Sequence, residues 1–98
     1  MQVVAVRFEL LVRGASSLKE KRARIRPILD RIRDRHHLSV SEVDHQDDWD
    51  RSTIAVAVVA PTERRALELL TSAERVVWAA DVEVLDSVRT WLDLTDDR

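Results

Sequence analysis

The chain has 98 residues, no cysteine, 45% apolar content and a formal net charge of −2 at neutral pH. That length supports one packed core and not two, so a single domain over residues 1–98 is expected. The lack of cysteine excludes a disulfide framework, a thiol nucleophile and a cysteine-ligated zinc site. No segment reaches the roughly twenty apolar residues of a membrane span, and the first residues carry no secretory pattern, so a cytoplasmic protein with no membrane attachment is expected.

Val4, Val6, Phe8, Leu10 and Val12 alternate with Arg7, Glu9 and other mixed residues, the period-two signature of a long, half-buried strand. Gly14, the chain's one glycine, marks the turn after it. Residues 16–37, SSLKEKRARIRPILDRIRDRHH, then read as a helix. Ser17 and Glu20 form a capping-box pattern, with Glu20 reaching back to the N–H of the cap residue. Leu18, Ile25, Ile28, Leu29 and Ile32 make the core-facing side. Pro27 interrupts the hydrogen-bond ladder at Ala23, which predicts a kink or two abutting helices.

Leu38, Val40 and Val43 mark a second strand whose broken alternation predicts a bulge or an early end. Residues 44–52, DHQDDWDRS, form the most polar connection and read as a hairpin loop. Residues 53–60, TIAVAVVA, carry no charge and belong in the middle of a sheet. Thr62 caps a second helix with an apolar stripe of Ala66, Leu69, Leu70, Ala73, Val77 and Ala80. A last strand follows through Val84, Leu85, Val88, Trp91, Leu92 and Leu94, irregular at Asp86 and Ser87, before a tail, TDDR, that frays. The order βαββαβ predicts an α+β, ferredoxin-like split βαβ sandwich, with both helices on one face of an antiparallel sheet and the first and third strands central.

Charge is unevenly placed. The first helical stretch holds eight of the sixteen Lys and Arg residues against three acids, so the rest of the chain is strongly acidic. Lys19, Lys21, Arg22, Arg24, Arg26 and Arg33 are the candidate anion- or nucleic-acid-binding residues, since arginine forks match phosphate oxygens. A solvated helix with Glu20–Arg24 and Arg26–Asp30 pairs is the plainer account of the same residues. The 44–52 loop holds Asp44, His45, Asp47, Asp48 and Asp50, but no calcium-loop spacing, so no metal site is expected. No nucleophile or glycine-rich loop accompanies those carboxylates, so no catalytic residue, cofactor or small-molecule substrate is assigned. The sheet offers only Phe8 on its central strands, facing the core, which argues against base stacking.

Trp49, Trp78 and Trp91 are the candidate partner or self-contact residues. With helices over one side only, some of Val3, Ala5, Leu11, Ile54, Val56, Val58 and Trp91 would meet water, and a homodimer through sheet faces or edges is expected.

Residues 17–22, SLKEKR, and 43–49, VDHQDDW, together with IAVAVVA, carry a resemblance to the YlxP-like family of small bacterial proteins that covers nearly the whole chain. The resemblance implies a ferredoxin-like fold. It also implies a link to translation or ribosome maturation, since the family's genes often lie between those for a translation initiation factor and a ribosome-binding assembly factor. It brings no catalytic residue with it. Pro27 and the arginine-rich helix depart from typical members. The expected function is a non-enzymatic module meeting ribosomal RNA or a ribosomal particle through the basic helix. The alternative is a protein-interaction or homo-oligomerisation module that binds an acidic protein partner.

Overall fold

The computed structural model describes residues 1–94, and the tail expected to fray, 95–98, lies outside them. Its elements are β1 (Gln2–Leu11), α1 (Leu18–Asp30) running straight into a wider π-helical turn (Arg31–Arg35), β2 (Ser39–Asp44), β3 (Arg51–Ala60), α2 (Glu63–Trp78) and β4 (Glu83–Asp93). The strands form one sheet in the order β2-β3-β1-β4, antiparallel at every pairing. This is the ferredoxin-like arrangement that the element order predicts, with β1 and β3 in the centre.

Alternation along β1 fixes which face is covered. Val4, Val6, Phe8 and Leu10 lie opposite Val58, Val56, Ile54 and Ser52 of β3, and all eight are buried. Ile25, Ile28 and Ile32 from the first helical stretch and Ala66, Leu70, Ala73 and Val77 from α2 pack into the same cluster. Both helices therefore cover one face. This corrects the expectation for Ile54, Val56 and Val58, which belong to the covered face. The uncovered face carries the intervening residues, including the row Val59–Val3–Leu92 across three strands. Trp91 pairs with Val4 and so also stands on the helix side, at the sheet's margin.

Two irregularities shape the outer strands. Val43 is extra between Glu42 and Asp44, the bulge predicted for β2. In β4 the register slips between Glu9 and Leu10 so that Leu85 is unpaired, one residue before the irregularity expected at Asp86 and Ser87. β2 is a six-residue edge with a bulge, whereas β4 is an eleven-residue edge whose residues are all exposed or half-buried.

Pro27 sits inside α1 without ending it, and the backbone widens one turn later. The wide turn closes on a hydrogen bond from the Leu38 N–H to the Ile32 carbonyl, with His37 in the left-handed region at φ 57°. Histidine is among the residues that tolerate that region. No helix among the described residues is long and apolar enough to cross a membrane.

At the start of α1, Ser17 caps the helix by accepting from the Glu20 N–H at 3.1 Å. Glu20 reaches back one residue beyond the cap, to the N–H of Ser16 at 2.6 Å and its hydroxyl at 2.9 Å. The Ser16 backbone bond, then its hydroxyl bond, holds the Glu20 carboxyl below its ordinary pKa. A carboxyl depressed in the folded state stabilises above the ordinary carboxylate range, and that contribution disappears as pH falls through the folded value. Unfolding midpoints measured across the acid range should therefore lose part of their pH dependence in Glu20→Gln. Superimposable acid profiles for the two proteins would contradict this capping role.

Candidate functional site

The basic helix divides into residues that build the fold and residues that face water. Leu18, Ile25, Ile28 and Ile32 leave one vacancy on their side of the helix, and Lys21 fills it. Its side chain is 1% exposed. The ammonium donates to the carbonyls of His45 at 2.6 Å, Gln46 at 3.2 Å and Arg51 at 3.2 Å, with Glu42 Oε2 at 3.3 Å. Glu42 Oε2 also accepts from the Ser52 hydroxyl. An ammonium has three donors and no acceptor, so these carbonyls and the carboxylate satisfy it. Lys21 thus ties α1 to both ends of the β2–β3 loop, and its expected place on an anion-binding surface is corrected.

Arg24 is also engaged internally. Its Nε donates to the Asp81 carbonyl at 3.0 Å, and its terminal nitrogens donate to the carbonyls of Asp81 and Arg13. The side chain fastens the β1–α1 turn to the connection before β4, so it too leaves the candidate surface. Arg33 donates to the Val40 carbonyl at 3.4 Å and lies 3.6 Å from Asp30. The expected Glu20–Arg24 and Arg26–Asp30 pairs do not form, because Glu20 turns back to Ser16, Arg24 turns to the loops and Asp30 meets Arg33.

Lys19, Arg22 and Arg26 remain. All three are exposed, and none forms an ion pair among the described residues. They line a shallow groove of about 430 Å³ with Ala23, Pro27 and Asp30. Their spacing of three and four residues makes one stripe along the outer side of α1. Like charges so placed repel by a few tenths of a kcal/mol, a small cost that an approaching anion would remove.

The acidic loop is internally organised. Asp44 accepts from the His45 N–H at 2.8 Å, and Asp48 lies 2.6 Å from His45 Nδ1. His45 Nε2 is 4.0 Å from Glu9, which accepts from the Thr53 hydroxyl at 2.6 Å. Among the described residues, no three His, Asp or Glu side chains come together in a set able to hold a metal ion. Asp47, Asp48, Trp49 and Asp50 line a concavity with Ala15.

The tryptophans are not brought together. Trp49 is 57% exposed on the β2–β3 loop, and Trp78 is 62% exposed at the end of α2. Trp91 lies toward the other end of β1 from Trp49, opposite Val4, and its indole N–H donates to Gln2 Oε1.

Residues 3–89 match the model of a family described as "Protein of unknown function (DUF503)". Over 52 residues the chain is 40% identical to the "Uncharacterized protein YlxP" of Bacillus subtilis (strain 168), a match covering 53% of this chain and 56% of that relative. The chain thus spans about half the length of the curated relative it matches. With its SLKEKR and VDHQDDW segments mounted on a ferredoxin-like sheet and most of its length matched, the chain belongs to the DUF503 family, the family of the YlxP-like proteins.

Proposed function

We propose that the protein is a non-enzymatic binding module of the cytoplasm that meets RNA, in ribosomal RNA or a ribosomal particle, through Lys19, Arg22 and Arg26. The observation that supports this reading is the division of α1. Lys21 and Arg24 are held by backbone carbonyls, whereas the outer stripe keeps its positive charge without an ion pair among the described residues. Phe8 is enclosed beneath the helices and the uncovered sheet face carries no aromatic side chain, so contact runs through phosphates rather than stacked bases.

The test is the triple variant Lys19→Glu, Arg22→Glu and Arg26→Glu, with Lys21 and Arg24 untouched. An affinity-tagged pull-down from lysate, split into nuclease-treated and untreated halves, should recover ribosomal RNA with the parent and none with the variant. On a single-stranded RNA, each lost phosphate contact reduces the salt slope of log K by about 0.7, so three lost contacts remove about 2. Equal recovery by parent and variant would sink the assignment. Recovery of the same proteins from both halves would favour an acidic protein partner.

Self-association is a second reading, favoured by β4. Its outer edge is unpaired among the described residues, and Leu85, Val88, Trp91 and Leu92 are exposed along it. Such an edge presents backbone donors and acceptors to another strand. Sedimentation equilibrium should find a dimer that Val88→Lys with Leu92→Lys converts to monomer. A monomeric parent at the highest soluble concentration refutes it.

A further inference from the structure

Where the π turn meets the last turns of α2, Arg31, Arg35 and His36 face Ser72, Arg75, Val76 and Ala79 across a concavity of about 240 Å³. Arg31, Arg35 and Arg75 are exposed, and none forms an ion pair among the described residues. Among the described residues, the wall of this concavity contains no carboxylate, unlike the neighbouring grooves, whose walls include Asp81, Asp30 and Glu42. Of the acids near it in sequence, Asp30 pairs with Arg33, Glu74 with Arg89, and Glu68 with Arg64 and Arg65, whereas Asp34, in the same turn as Arg35, is exposed, forms no ion pair among the described residues and does not line the concavity.

We infer that this concavity is a binding site for one phosphate group, held by Arg31, Arg35 and Arg75 with the His36 ring at its wall; the Ser72 hydroxyl beside them already donates to the Glu68 carbonyl at 3.1 Å. A wide turn has more than four residues per revolution, so Arg31 and Arg35, four apart, share its face. They carry the small like-charge cost of that spacing, and an anion between them relieves it. Part of the clustering has a local cause, because cations suit helix C-termini. Each helix end contributes about −0.5 charge, so two ends offset about one of the three guanidiniums and leave about +2 on the wall itself, which the exposed Asp34 of the same turn, outside the wall, reduces only through solvent. Charge of that size, on forks from two elements, fits a phosphate dianion or a bridging phosphodiester. The inference rests on the RNA reading only for the source of the phosphate, and it adds a contact point beyond the Lys19–Arg22–Arg26 stripe.

Two measurements separate the site from its source. Protein labelled with nitrogen-15 is titrated with inorganic phosphate while the arginine Nε–H resonances are followed. Saturable shifts are expected at Arg31, Arg35 and Arg75, lost in Arg75→Gln and retained in Arg22→Gln with Arg26→Gln. Absence of saturation, or equal shifts at Arg22, Arg26 and Arg64, overturns the site. In the second arm, single-stranded RNA binding is measured for the same variants by salt titration. Arg75→Gln should lower the slope by about 0.7, the value for one phosphate contact. An unchanged slope with RNA still bound overturns RNA as the source and leaves the stripe on α1 as the RNA contact. Saturable phosphate shifts in a protein that binds no RNA assign the pocket to a free phosphate and refute the RNA reading instead. All three substituted arginines, Arg22, Arg26 and Arg75, are exposed, so the substitutions should preserve the fold, which the amide spectrum of each variant reports directly.

Discussion

Replacing Lys21 by methionine is expected to cost about 3–5 kcal/mol of stability, the usual penalty for removing one partner from a buried ion pair. Methionine keeps most of the apolar stem that lies among Leu18, Ile25 and Ile28, so the loss isolates the ammonium. Without it the carbonyls of His45, Gln46 and Arg51 lose their donor, and Glu42 keeps only the Ser52 hydroxyl. Against a total of about 5–15 kcal/mol for an ordinary domain, that loss leaves little reserve. The readout is a lower urea midpoint with an unchanged slope. Glu42→Gln should cost less, because Lys21 would keep its three carbonyls. Arg22→Ala, on the outer side of the same helix, should stay within about 0.5 kcal/mol. If Lys21→Met behaves like Arg22→Ala, the ammonium does not anchor the loop.

Phe8→Ala is expected to cost a similar amount, about 3–5 kcal/mol, by leaving a cavity where a fully buried ring stands on the central strand. Ile54 and Ser87 flank it in register and are fixed by the sheet, so they cannot collapse into the space. Thermal unfolding measures the loss directly. The milder Phe8→Leu carries the functional information: it keeps the site apolar and should leave the proposed RNA binding at the parent's level. If the parent binds RNA and a folded Phe8→Leu does not, the proposal of phosphate-led contact is contradicted.

Much of the architecture was legible because its signals are periodic. Strict alternation located β1, the charge-free run located β3, and Thr62 with a stripe of small and branched residues located α2. The break between Val40 and Val43 was visible as a bulge because a period of two leaves no slack. The face of β3 was harder. In a run with no charged residue, alternation cannot tell inside from outside, and only the register with β1 decides that Ile54, Val56 and Val58 point inward.

Lys21 was misplaced for a related reason. Apolar residues seven apart at Leu18 and Ile25 imply an occupant of the core side between them, and that occupant is Lys21. Its charge drew it to the surface in a reading by residue type, whereas its position placed it inside. Arg24 could not have been assigned from local pattern at all, since its acceptors, Arg13 and Asp81, are distant in sequence. The pocket of Arg31, Arg35 and Arg75 was hidden likewise, because its third arginine comes from the other helix.

The unequal margins of the sheet limit how it can grow. A strand added along β4 meets eleven residues of open backbone, while β2 offers six residues with a bulge that spoils continuation. Two copies joined β4 to β4 would present only β2 at each outer end. Extension would then stop at one closed pair, because a single adhesive margin per molecule terminates assembly where two would propagate a fibre.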